Sequence, residues 1–313
     1  MTWGLLLSIQ PLFLAGQKTL APLISLGVFG PALVSIGLSA ILKPRPREGS
    51  RKPAVISFIV VWMLASLIII LQLTNIAQMD LSTSLAVVAV ITGLLPAVVA
   101  SSAFSTIPGV RALLSTYLKP RGAIGYYLLA LVLFPAIWLL GNLLSRALGM
   151  EVPFLSYTVD GKLLGMVIIT FLYGIIYAGL SEEPGWRGFA LPRLLQKYSP
   201  TVASLILGII WGLWHLPSFF VSGLPQGSIQ IPVFFLGALA LSIAITWVFI
   251  HTKGSIFFSF LLHYAFNFSL TIIAIPFLHL TLLQTALALI IMIFFGWDLG
   301  RSRMLCKGKG VSE

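Results

Sequence analysis

The stretch from Leu164 to Arg187, LGMVIITFLYGIIYAGLSEEPGWR, decides how the chain is read. As far as Leu180 it carries no charge and approaches the length a helix needs to cross about 30 Å of hydrocarbon. It then places Glu182 and Glu183 side by side, with Arg187 four residues beyond the second. A carboxylate at bilayer depth costs about 2.5 to 3.5 kcal/mol on insertion scales, so ionisable residues there are candidates for function. The chain has only eight acidic residues in 313, and two of them are spent here.

Composition extends this reading to the whole chain. Hydrophobic residues make up 58% and charged residues 9%, with a mean hydropathy of +1.04. A soluble domain has roughly 25% charged residues. The fold class is therefore all-α, a polytopic transmembrane helical bundle of about eight or nine spans, and the protein is an integral, multi-pass membrane protein. Apolar runs of spanning length lie near 20–42, 54–76, 84–106, 123–148, 161–183, 201–221, 231–250, 254–275 and 281–298. Trp3 to Leu14 is apolar too, but it is broken by Pro11 and too short to span. It reads as an interfacial segment, since a signal peptide would begin with a basic region that is missing here.

Charge orients the bundle. Alternating the spans gathers sixteen of the nineteen basic residues on one side, in Lys43–Lys52, Arg111–Arg121, Arg187–Lys197, Lys253 and Arg301–Lys309. Lys and Arg concentrate in cytoplasmic loops, so this side faces the cytoplasm. The net charge of +11 is then accounted for by topology and by contact with anionic lipids of the bilayer, with no nucleic acid as partner. The run Lys43-Pro44-Arg45-Pro46-Arg47 is too short and too rich in proline to be a nucleic-acid-binding helix. The single cysteine, Cys306, lies in the basic tail; it excludes an intrachain disulfide and a cysteine-based metal cluster, and reads as an ordinary tail thiol.

Three spans of the second half carry rare polar groups. Gly174, Ala178 and Glu182 recur every four residues and share a face of the fifth span, where small residues let a neighbouring helix approach. Pro184 and Gly185 are expected to interrupt that helix, with Trp186 to Tyr198 restarting as an amphipathic segment along the membrane surface. Arg187 follows Glu183 at the spacing at which helical side chains meet, so the two are expected to pair and neutralise one carboxylate. On the sixth span Ser204, Gly208, Gly212 and His215 share a face, and Pro217 ends or kinks the helix. On the eighth, Ser255, Ser259, His263, Asn267 and Thr271 form a polar stripe that must face protein or water. His251 and His279 sit at span ends and read as interface residues.

Each element also has a plainer reading. The two glutamates could cap the segment that follows them, His215 could join helices by a hydrogen bond, and the His263 and Asn267 pair could be packing glue. The Gly208 to Gly212 seam reads as packing outright. Together, however, a buried glutamate, two histidines and an asparagine form a set able to activate water and to hold an oxyanion.

Glu182-Glu183-x-x-x-Arg187, then His215 within Trp211-Gly212-Leu213-Trp214-His215-Leu216-Pro217, then His263-x-x-x-Asn267, resembles the three-motif signature of the CPBP intramembrane proteases, formerly called Abi. That family includes type II CAAX prenyl endopeptidases and bacteriocin-processing or self-immunity proteins. The resemblance covers about 161–275, which makes this stretch the expected catalytic core. Residues 1–160 resemble the family only as generic transmembrane helices, and 276–313 hold the last transmembrane helix and the basic cytoplasmic tail. Trp211 departs from the family, which usually has Phe there; because an aromatic is kept, little consequence is expected. The resemblance implies that Glu182 and His215 activate the attacking water, that His263 and Asn267 stabilise the oxyanion, and that Glu183 and Arg187 support them. Burial makes a carboxyl a better base, and Asn and His are suitable donors to a developing oxyanion.

The family is commonly described as metalloproteases, and Glu182, His215 and His263 could supply three ligands to zinc or another divalent metal, with a fourth position open. No His-Glu-x-x-His pair is present, and metal-free activation of water by Glu182 is favoured. Depth adds a condition. His215 lies roughly 20 Å and His263 roughly 14 Å from the cytoplasmic starts of their spans, whereas Glu182 ends its own. A water-filled cavity opening to the cytoplasm is expected, reached by a bend at Pro184 or by a sixth span that starts below the interface. The expected function is an intramembrane endopeptidase acting on a peptide or membrane-protein substrate near the cytoplasmic face. The alternative is a non-proteolytic scaffold or bacteriocin self-immunity protein of the same fold. A transporter fits less well, because the halves show no repeat.

Overall fold

The computed structural model describes residues 26–42, 44–76, 78–118, 122–156, 162–220 and 225–301, and of Ala178 and Pro225 the backbone alone. The apolar segment Trp3 to Leu14, Lys43 and the tail that carries Cys306 lie outside the described residues. Regular structure among the described residues is helical, apart from an isolated antiparallel bridge between Leu155 and Ile273. The principal helices are α1 (Gly30–Ile41), α2 (Lys52–Leu71), α3 (Thr83–Ser102), α4 (Pro108–Leu118), α5 (Ile124–Ala147), α6 (Leu163–Ser181), α7 (Pro200–His215), α8 (Ile231–His251), α9 (Ile256–Ile272) and α10 (Phe277–Phe295).

Among the described residues, seven helical runs are long and apolar enough to cross a membrane: Lys52–Ile76, Thr83–Ser102, Ile124–Ala147, Leu163–Leu194, Pro200–Phe220, Ile231–His251 and Phe277–Phe295. α1 and α9 are apolar but shorter. The protein is thus a polytopic, all-α membrane protein, with a helix at each expected span and full length at seven. α9 stops short for local reasons. Gly254 before it sits at φ +76, and Ile273 after it is extended, paired with Leu155 and followed closely by Pro276.

The basic loop expected after Arg111 contains α4, which the sequence reading missed. Its eleven residues cannot span a membrane. It buries Val110, Leu113 and Leu114, while a side chain at Gly109 would strike the carbonyl of Ser39.

The chain divides into two compact units whose segments alternate along the sequence. One draws on 1–118, 157–188 and 217–227, and so contains α1 to α4 and α6. Here α2 and α3 pack closely because Gly93 has no side chain: a Cβ there would lie 2.5 Å from the Ser66 hydroxyl. The Trp62 indole donates to the Val90 carbonyl at 2.8 Å, locking the pair in register.

The other unit draws on 119–156, 189–216 and 228–313, and contains α5 and α7 to α10. α8 is its most enclosed helix, packed against α7, α9 and α10, while α9 also packs on α5. Gly208 and Gly212 meet α8 closely, where added methyls would lie 3.1 Å from Leu239 and 2.9 Å from Phe235. The Ser242 hydroxyl donates to the Ser204 carbonyl at 2.8 Å. The seam Ser204, Gly208, Gly212 is therefore helix packing.

Contacts within each unit agree with the alternation of spans. In the first, the loop before α2 meets the segment after α3: Glu48 N–H donates to the Thr106 carbonyl at 2.8 Å, and Arg111 pairs with Glu48 at 2.7 Å. In the second, Arg301 donates to the Leu195 carbonyl at 2.9 Å, joining two basic segments. The poorly charged segments meet likewise, with Asn142 donating to the carbonyls of Pro153 and Ala274.

Candidate active site

α6 delivers the two glutamates. The Glu182 carbonyl accepts from both Gly185 and Trp186 at 3.0 Å, and Pro184 has no N–H to continue the ladder. The helix does not break there. It widens into a π-helical stretch over Pro184–Ala190 and continues through Leu191–Leu194, so that the run is 32 residues long. This corrects the expected interruption and surface segment: Pro184, Gly185, Arg187 and Leu191 are buried. An i to i+5 turn accommodates the proline ring and its missing donor without ending the helix. Gly185 is required at this point, since a Cβ would lie 2.6 Å from the Pro31 carbonyl oxygen of α1.

Glu182 is 7% exposed, and Glu183 and Arg187 are fully enclosed. Arg187 donates to Glu183 at 3.0 Å, as the four-residue spacing predicts. A buried ion pair of this kind is costly to break, because removing one partner leaves the other charge buried and uncompensated. It also distinguishes two adjacent carboxylates, since Glu183 is the one that Arg187 pairs with at 3.0 Å. Tyr117, on α4, donates to the Gly179 carbonyl at 2.5 Å, one turn before the widened stretch. Burial, and secondarily the Glu183 carboxylate, push its phenol well above the usual range, which keeps it a donor. The sequence offered no signal for this residue, a tyrosine inside what reads as a loop.

The second unit holds His215, His263 and Asn267. α7 starts from Ser199, whose hydroxyl accepts from Val202 N–H, with Pro200 at the first helical position. It ends at His215, where Leu216–Phe220 tightens into a 3₁₀ turn around the buried Pro217. His215 is half-buried among aromatic rings, with centroids 5.6 Å from Trp211, 4.6 Å from Trp214 and 5.5 Å from Phe234 of α8. His263, on α9, is 3% exposed. Its ring meets the same Trp211 edge-to-face at 5.2 Å.

Trp211 thus stands against both histidines and sets their separation. Asn267 follows His263 by one turn and is half-buried, and Thr271 donates to its carbonyl at 3.0 Å. Along the α9 stripe Ser255 and Ser259 are buried, with the Ser259 hydroxyl donating back to the Ser255 carbonyl at 3.3 Å. Hydroxyls satisfied within the helix leave the imidazole and the amide as the stripe's distinctive groups. Phe234 was missed by sequence reading, since one phenylalanine on a helix as apolar as α8 carries no pattern.

The remaining histidines have packing partners. His251 Nδ1 lies 2.8 Å from the Trp247 carbonyl, with its ring against Phe295 at 5.4 Å. His279 Nδ1 lies 2.6 Å from the Ser145 hydroxyl. As for a metal, no group of three or more His, Cys, Asp or Glu side chains among the described residues is placed to hold one. The metalloprotease description therefore finds no donor set among the described residues.

Buried or half-buried carboxylate, imidazole and amide groups on apolar helices define a class, a polytopic membrane protein with polar side chains set within its helices. Residues 164–269 match the family model described as Type II CAAX prenyl endopeptidase Rce1-like. The chain is 33% identical over 150 residues to the "CAAX prenyl protease 2" of Methanococcus maripaludis, strain S2 / LL. That alignment takes in 46% of this chain and 55% of the relative, so the chain spans about half the length of the curated relative it matches. Over this core the chain is similar to the CPBP/CAAX proteases, and the matched stretch contains all three motifs.

Proposed function

We propose that the protein is an intramembrane endopeptidase that hydrolyses a peptide bond of a peptide or membrane-protein substrate near the basic, cytoplasmic face of the bilayer. The observation that carries this proposal is the division between the two buried glutamates. Arg187 pairs with Glu183 at 3.0 Å, which supports reading Glu183 as the supporting carboxylate and Glu182 as the base. Glu182, assisted by His215, takes a proton from water as the oxygen attacks the scissile carbonyl carbon. Asn267 and His263 donate to the oxyanion of the tetrahedral intermediate. Collapse breaks the C–N bond, and the proton held by the Glu182 and His215 pair passes to the leaving amine.

Depth supports the assignment. With the helix running on to Leu194, Glu182 lies on the order of 18 Å along its own helix from that end, and His215 about 22 Å from Pro200 along α7. Glu182 therefore does not end its span. Catalysis requires water to reach this depth from the cytoplasmic side. Contact with anionic lipids belongs to the same orientation, since basic loops are drawn to a negative leaflet.

The test is mass-spectrometric cleavage profiling by the full chain in lipid nanodiscs. The library should include CAAX peptides with and without a prenyl group, because the relative is named for that substrate. Fragments made by wild type and missing with Glu182→Ala establish the protease, and Asn267→Ala is expected to slow cleavage on the order of 10²-fold. Full activity in a chelator supports metal-free water activation. Identical profiles from wild type and Glu182→Ala, both folded, would instead indicate a binding or immunity role.

A further inference from the structure

A cleft of about 440 Å³ lies in the first unit, at the basic end of the α2 and α3 pair. Arg47 and Arg51 line it, with Ala54, Val55 and Phe58 on one wall and Ser101, Ser105 and Thr106 on the other. Among the described residues neither Arg47 nor Arg51 forms an ion pair with a carboxylate. The carboxylate of Glu48 is paired with Arg111 at 2.7 Å. Arg51 holds the N-cap position of α2 without a side-chain capping bond, and no acidic residue occupies that helix's first turn. Cations at a helix N-terminus oppose the macrodipole, an arrangement that a bound anion relieves.

We propose that this cleft binds the phosphate of an anionic phospholipid. Guanidinium forks match phosphate oxygens in pairs. The Ser105 oxygen accepts from Ile107 N–H at 3.1 Å, which leaves its own proton to donate. The shape selects a lipid over a soluble phosphate. Arg51, Ala54, Val55 and Phe58 share one face of α2 at steps of three and four. That face gives a cationic end and an apolar wall reaching about 10 Å into the span. A lipid uses both, with its phosphate at the arginines and its acyl chain along Val55 and Phe58, whereas a soluble anion uses only the first. The proposal is independent of the protease activity.

The test is native mass spectrometry of the full chain released from mixed phosphatidylglycerol and phosphatidylcholine vesicles. Wild type is expected to retain one phosphatidylglycerol, preferred over phosphatidylcholine by on the order of tenfold. Arg47→Ala/Arg51→Ala should abolish the preference. Arg45→Ala/Lys52→Ala, which removes the same charge from residues beside the cleft that do not line it, should leave it intact. Equal loss in both pairs means diffuse attraction of a basic loop and overturns the site. Displacement of the lipid by millimolar inorganic phosphate or glycerol phosphate makes a soluble anion the occupant and overturns it too. Matched unfolding temperatures among the three proteins keep a folding defect from imitating the expected result.

Discussion

Glu183 and Arg187 show how a pair of side chains can be read from spacing, yet valued only from burial. Four residues apart on a helix, they meet wherever the helix lies; at an exposed site the pair would contribute a few tenths of a kcal/mol. Enclosed as it is here, it behaves otherwise. Arg187→Leu is expected to destabilise the protein by about 3 to 5 kcal/mol, because Glu183 would be left as a buried, uncompensated carboxylate. Glu183→Leu/Arg187→Leu should recover most of that loss, and thermal unfolding in detergent measures both. If the double variant is no better than the single, the pair has a role beyond charge compensation. Trp211 makes a different prediction. With ring centroids 5.6 Å from His215 and 5.2 Å from His263, Trp211→Phe should keep an aromatic edge against both and retain most cleavage. Trp211→Ala should cost about 3 to 5 kcal/mol in stability and reduce cleavage far more than Phe does. Equal activity of the Phe and Ala variants would show that the shared ring does not position the histidines.

Proline and glycine were correctly picked out around residue 184, but their consequence was misjudged. A proline inside an apolar helix ends it in water, where freed carbonyls are solvated. In hydrocarbon those groups must be satisfied internally, and widening the helix by one residue per turn achieves this more cheaply than exposing the backbone. Gly185 is the partner of that adjustment, because α1 passes directly over it. Gly185→Ala would drive a methyl into the Pro31 backbone and is expected to cost about 1 to 3 kcal/mol of stability. Gly165→Ala, on the same run with nothing within 4 Å of the added carbon, should be neutral or slightly stabilising. Unfolding temperatures of the two variants compare them directly, and a neutral Gly185→Ala would mean that α1 is free to retreat.

At the scale of the bundle, orientation is a question of counting and packing together. The basic segments cluster by charge, and contacts within each unit join them in pairs, Glu48 with Arg111 and Leu195 with Arg301. In a Cys306→Ser background, Ser50→Cys is expected to react with a membrane-impermeant thiol reagent only after the membrane is opened, and Glu151→Cys in intact cells. Labelling in the reverse order would invert the topology and place the proposed chemistry at the outer face.

Helix identity and approximate span limits were legible along the chain, because hydropathy and the four-residue period are local properties of a helix in lipid. The alternation of sequence segments between two compact units was not legible, and neither were the turn that widens at Pro184, Tyr117 reaching the Gly179 carbonyl, nor Trp211 lodged between two histidines. Each of these depends on which apolar face meets which. In a chain this hydrophobic nearly every face is suited to burial, so the choice among them falls to shape, to glycine-sized gaps and aromatic edges that exist only once the helices are packed.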